Sequence, residues 1–124
     1  MNFDKYMNKK YNIFRYNCWD FVRDVWYDFK KEDIGKRTPS CVSKINIQSA
    51  FDLGIADFKK IYNPGCDDLS IVLIKKPASL PHVGIHYDNK VLSLTKQGVS
   101  YVPLKIATRF ATEVNFYVYI NKNI

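Results

Sequence analysis

The chain is short of cysteine, of histidine and of long apolar runs, and each shortage excludes a class of protein. Its three cysteines, Cys18, Cys41 and Cys66, are odd in number and form no CxxC pair. That argues against a disulfide framework and against a structural zinc site, and it leaves at least one free thiol. The remaining soft ligands are two histidines, His82 and His86, so neither a metal nor another cofactor is expected. The opening MNFDKYMNKKYNIF holds neither a signal-peptide core nor a membrane span. The protein is therefore expected to begin in a cytoplasm and to need a carrier if it acts outside. Internal repeats and low-complexity segments are missing as well. No RNP run, zinc finger or basic helix accompanies the basic residues, so nucleic acid is not an expected partner.

What is present suits one folded unit. The 124 residues are 47% apolar, with nine Tyr, eight Phe and 25% charged residues, enough to fill a core at an ordinary surface charge. No linker interrupts them, so residues 1–124 read as a single domain, with 1–10 as a loosely docked N-terminal arm. The net charge of +7 is scattered over short runs such as NKK, GKR and LIKKP. It describes a solvated basic surface and favours an anionic partner such as a cell wall.

Cys18, Phe21, Val22, Val25, Trp26 and Phe29 recur at helical spacing. Asn17 is the N-cap, Asp20 completes a weak capping box, and the helix is expected to run to about Lys31. SCVSKINIQSAFDLG reads as a second, weaker helix ending at Gly54. DLSIVLIKK, HVGIHY, VLSLTK, GVSYVPL and VNFYVYI read as strands, the second and third forming a hairpin over DNK, with KIATRFA as a short helix or turn. Helices come first and a meander of strands follows. The fold class is α+β, with N-terminal helices packed on one antiparallel sheet.

The chemistry-bearing residue is Cys18. A thiol in the first turn of a helix meets unpaired amides and the positive end of the dipole, which favour thiolate and can hold an oxyanion. It needs a base. His82 opens a strand and is expected to face the helix, whereas His86, two pleats on, is about 13 Å further along. A tight turn at Asp88 and Asn89 pairs Tyr87 with Lys90, which sets Gly84 opposite Ser93 and His82 opposite Thr95. Ser93 is then the candidate orienting residue for the imidazole, and Thr95 its substitute. Cys41 and Cys66 lack such settings and read as structural. Read singly, Trp19 and Trp26 are packing residues.

These residues resemble a known family. YNCWDFVRDVW is similar to the nucleophile helix of the NlpC-type papain-like cysteine peptidases, in which an aromatic and an Asp or Asn precede the Cys. PGCDDLSIVLI resembles that family's Pro-Gly-Asp-Leu strand entry, with Cys66 and Asp67 interrupting it. PHVGIHYDNKVLSL is similar to its catalytic-histidine hairpin, and GVSYVPL to the next strand of the small members coded among phage tail genes. The resemblance runs from about Tyr11 to Val118. It implies a papain-like fold, Cys18 as nucleophile, His82 as general base and acid, and Ser93 at the third position, where the family usually has His or Asn. It also makes Tyr16 and Trp19, which flank the nucleophile, candidate substrate contacts.

The function expected from this is hydrolysis of an amide bond in the stem peptide of bacterial peptidoglycan by a phage tail-associated enzyme. The protein would reside in the virion, or in the host cytoplasm before assembly, with other tail proteins as partners. The alternative is a catalytically weak or inactive virion protein of the same fold, a reading favoured by the hydroxyl of Ser93, which stabilises an imidazolium less than a carboxylate does.

Overall fold

A computed structural model describes residues 2–12, 15–35, 58–65, 67–78 and 81–120. The weaker helix read over SCVSKINIQSAFDLG, and with it Cys41, lies outside these residues, as does Cys66.

The first long element is helix α1, Cys18–Lys30. Asn17 is extended, and its side chain accepts from the amides of Trp19 (3.0 Å) and Asp20 (3.2 Å), while Asp20 accepts from the Asn17 amide (3.1 Å). This reciprocal box satisfies donors that the helix cannot satisfy itself. The helix stops where Lys31 turns left-handed (φ 58°) and its amide donates to the Tyr27 carbonyl. Cys18, Trp19, Phe21, Val22, Val25 and Trp26 form its buried stripe. Each large apolar side chain in that stripe contributes about 1.5–3 kcal/mol by leaving water.

Six strands follow: β1 Phe58–Ile61, β2 Ser70–Lys75, β3 His82–Tyr87, β4 Lys90–Thr95, β5 Gly98–Pro103 and β6 Glu113–Tyr119. A single-turn helix, α2 Leu104–Ala107, joins the last two. The strands form one antiparallel sheet in the order β1-β6-β2-β3-β4-β5. The α+β class with one antiparallel sheet is therefore as expected. The hairpin is too: Asp88 and Asn89 are both left-handed (φ 55° and 57°), and Tyr87 pairs with Lys90.

Three expectations are corrected. The strands are not a simple meander, because β6 returns past β5, β4 and β3 to pair with β2 through Ile71↔Tyr117 to Lys75↔Glu113. FKKI, absent from the strands read in the sequence, is the edge strand β1, with Phe58 buried and Lys59 and Lys60 in solvent; lysines on an edge discourage pairing with another chain. The N-terminal arm is not loose. Phe3 and Tyr6 are buried, and the Phe3 ring meets those of Phe29, Tyr87 and Tyr101 edge-on at 5.2–5.9 Å. The Tyr6 hydroxyl donates to Asp28 on α1. Two large rings three residues apart on a short turn bury enough area to hold the arm down.

The sheet has two different faces. Ile71, Leu73, Val83, Ile85, Leu92 and Leu94 pack under α1. Val72, Ile74 and Val91 point the other way, where Leu104, Ala107, Val114 and Phe116 partly cover them. Among the described residues no helix is long and apolar enough to cross a membrane.

Candidate active site

Cys18 is the first residue of α1 and is 6% exposed. Burial is the largest influence on its thiol and pushes the pKa up. The amides of Val83, Trp19 and Cys18 itself point at the sulfur and oppose this, and the Asp20 carboxylate reinforces it. The net shift is upward, so the expected depression by the helix terminus is overturned: three weak donors do not replace the hydration lost on burial. Among the first-turn amides, those of Trp19 and Asp20 are held by the Asn17 side chain and that of Phe21 by the Asn17 carbonyl. The Cys18 amide has no such partner among the described residues and points at the thiol itself.

His82 is the first residue of β3 and pairs with Ile74 of β2. Side chains alternate along a strand, so His82 shares the far face with Ile74, while Val83 and Ile85 lie under α1. The expectation that the imidazole faces the helix is corrected; it reaches the thiol's surroundings from the end of its strand. Burial, with the charge of Lys76 added, pushes its pKa down to about 4. Its Nε2 is buried with no hydrogen-bond partner among the described residues. At neutral pH the pair is thus a neutral thiol and a neutral imidazole.

The two meet at a cavity of about 210 Å³ lined by Tyr11, Cys18, Pro81, His82, Leu94, Thr95 and Lys96. The sheet explains its position. The β3–β4 ladder runs from Tyr87↔Lys90 to Ile85↔Leu92 and ends there, while β4 goes on pairing with β5 as far as Thr95↔Gly98. The cavity lies where β3 and β4 are no longer laddered, at the N-terminal end of α1.

The remaining sequence candidates lie elsewhere or are engaged. Ser93 is buried beside Gly84, where an added Cβ would stand 3.1 Å from the Ser93 Cβ. It lines no part of the cavity and makes no hydrogen bond to His82. Thr95 lines the cavity, but its hydroxyl donates to the Gly98 carbonyl (2.9 Å) and accepts from the Gln97 amide. Neither orients the imidazole in this structure. Tyr16 is turned to the side of α1, where its hydroxyl donates to Asp24. Trp19 is buried, donates to the Gly35 carbonyl (2.7 Å) and packs edge-on against Phe58. Both leave the role of substrate contact; Trp19 keeps the packing role.

Sequence reasoning missed Tyr11 and Lys96. Tyr11 follows directly on the arm read as loose, at the edge of the family resemblance, and no motif marked it as a site residue. Lys96 follows Thr95 in the β4–β5 turn, and the His82–Thr95 pairing placed it within reach of notice. A larger hollow of about 430 Å³ lies between the arm and α1, but four of its six charged residues pair off, Lys5 with Asp28 and Arg23 with Asp33, and no Cys, Ser or Thr is among its described lining residues. Among the described residues no group of three or more His, Cys, Asp or Glu is placed to hold a metal.

No family model matches this chain. A search of curated proteins found no match either. The candidate site therefore rests on its own geometry.

Proposed function

We propose that this chain is a papain-like cysteine peptidase of the NlpC type that cuts an amide bond in the stem peptide of bacterial peptidoglycan, acting from a phage tail. The observation that carries the reading is the cavity shared by Cys18, at the mouth of a capped helix, and His82, at the start of a strand. A nucleophile and a base from segments far apart in the chain converge there, at the N-terminal end of a helix.

The protonation states define the order of events. Sγ of Cys18 attacks the scissile carbonyl as the neutral imidazole of His82 takes the thiol proton, so no preformed ion pair is needed. The carbonyl oxygen gains the electron pair and is held by the Cys18 amide. His82 returns the proton to the leaving amine and a thioester remains. Water then attacks the thioester, His82 removes its proton, and the acid leaves with the thiol restored. The net charge of +7 holds the protein near an anionic wall.

The test is digestion of purified peptidoglycan by wild type and Cys18→Ala, read by mass spectrometry of released fragments. Wild type should create new stem-peptide ends, and the variant should release them slower by about a thousandfold or more. One set of observations favours a second reading, a virion protein of this fold without catalysis: the thiol pKa is raised, Nε2 of His82 has no partner among the described residues, and Ser93 stays away from the cavity. Release by neither protein, together with iodoacetamide labelling of Cys18 near neutral pH no faster than that of an ordinary buried thiol, decides for that reading.

A further inference from the structure

The described lining of the cavity carries positive charge. Lys96 is the charged side chain in its lining, set on the exposed Lys96-Gln97 turn between β4 and β5. Lys76, just past the end of β2, acts on His82 through its charge. Neither lysine forms an ion pair with a described residue, whereas Lys5, Arg23, Lys30 and Lys75 each find a carboxylate. No Asp or Glu among the described residues lines the cavity. The charge of Lys76 disfavours protonation of the buried His82 imidazole, and with Lys96 in the lining the site suits an anion from outside. The neighbouring wall is apolar, with Pro81 and Leu94 and the ring of Tyr11. An apolar wall with a cationic mouth suits a peptide that brings its own negative charge.

We propose that Lys96, supported by Lys76, selects a substrate carrying a free carboxylate within one residue of the scissile amide, and that the matching carboxamide is discriminated against. The proposal rests on the peptidase reading for its scissile bond, but the anion site itself does not depend on turnover. Lys96 is the specificity-determining residue because it lines the cavity; Lys76 adds a longer-range field. An exposed ammonium paired with a carboxylate is worth a factor on the order of five at low salt, and the factor shrinks as salt is added.

The test uses two peptides identical except for a carboxylate or a carboxamide beside the scissile bond. Cleavage is followed with wild type, Lys96→Gln, Lys76→Gln and, as a charge-matched control away from the cavity, Lys105→Gln. Binding of both peptides is measured separately by calorimetry with full-length Cys18→Ala and with Cys18→Ala/Lys96→Gln. The proposal expects the carboxylate peptide to be favoured by about fivefold in both kcat/KM and Kd. That preference should vanish with Lys96→Gln, weaken with Lys76→Gln and persist with Lys105→Gln. Equal or absent binding of the two peptides, or a preference unchanged by Lys96→Gln, overturns it. The two readings fail separately. Lys96-dependent binding of the carboxylate peptide without cleavage by wild type removes the peptidase and leaves the anion site, while equal cleavage of both peptides removes the anion site and leaves the peptidase.

Discussion

The two faces of the sheet follow opposite rules. Under α1, Phe21, Val22, Val25, Ile71, Ile85, Leu92 and Leu94 are essentially without solvent contact and wholly apolar. On the far face the same strands carry Ser70, His82, His86 and Ser93, and all four buried side-chain polar atoms that lack a partner among the described residues belong to Ser70, His82 and His86. Ser70 and His86 are direct cross-strand partners. The period of two that gives one face its stability thus concentrates unsatisfied polarity on the other. The lesson is a division of labour. One face supplies the free energy of folding, and the other tolerates groups that cost stability, His82 among them.

The largest expected effect comes from the stabilising face. Phe21→Ala removes a ring at 0% exposure that meets Tyr6 edge-on at 6.0 Å, and should cost about 3–5 kcal/mol in urea unfolding. A cost under about 1 kcal/mol would mean that this face is not the main source of stability.

The polar face should announce itself through pH. His82 has its folded pKa depressed to about 4 from 6.5, so the unfolded chain binds a proton before the folded one does. Stability is complete above pH 6.5, falls as the pH drops towards 4, and loses at most about 3 kcal/mol to this group. Burial depresses His86 as well, which acts in the same direction. Asp33, held at about 2 by Arg23, starts to lose its own contribution only below its ordinary value of 3.8. Urea titrations at pH 7 and 4.5 should therefore separate the histidines from the carboxylates, and His82→Gln should flatten most of the difference. An undiminished pH dependence in that variant would assign it elsewhere.

Gly84 joins the two polar stretches of β3. A Cβ there would lie 2.9 Å from Cγ1 of Val91 and 3.1 Å from the Leu92 carbonyl oxygen, which cannot move aside as a flexible side chain can. Gly84→Ala should cost about 1–3 kcal/mol in the same assay. Ser70→Ala should do least. It deletes a buried hydroxyl with no partner among the described residues, so stability should stay within about 0.5 kcal/mol of wild type or rise by up to about 1 kcal/mol. A clear loss would show that a bound water or ligand satisfies Ser70 in solution.

The parts of this molecule that were legible beforehand are those whose cause is local. The α1 stripe, its Asn17–Asp20 box and the Asp88-Asn89 turn each follow from residues within a few positions of one another. The Cys18–His82 meeting was legible too, because a helix terminus and a strand end each carry a recognisable sequence cue. What escaped depends on distant neighbours. β1 is four residues with two lysines, and only its pairing with β6 makes it a strand. Phe3 and Tyr6 look like an arm until Phe29, Tyr87 and Tyr101 are folded around them. Trp19 follows Cys18 in α1, where adjacent residues point in different directions, and Tyr16 lies ahead of the helix, bridged to Asn12; neither lines the cavity.

By itself the sequence determined the α+β class, the capped helix with a thiol in its first turn, and the hairpin register that brings Gly84 to Ser93. Hydrogen bonds and packing within a few residues decide these, and their geometry is the same in any surroundings. Only the tertiary structure decided that β6 inserts between β1 and β2, that the ladder of β3 and β4 ends before His82, and that Cys18 and His82 rest as neutral groups. Strand order is chosen among segments far apart in the chain. A pKa answers to the water removed when those segments close over it.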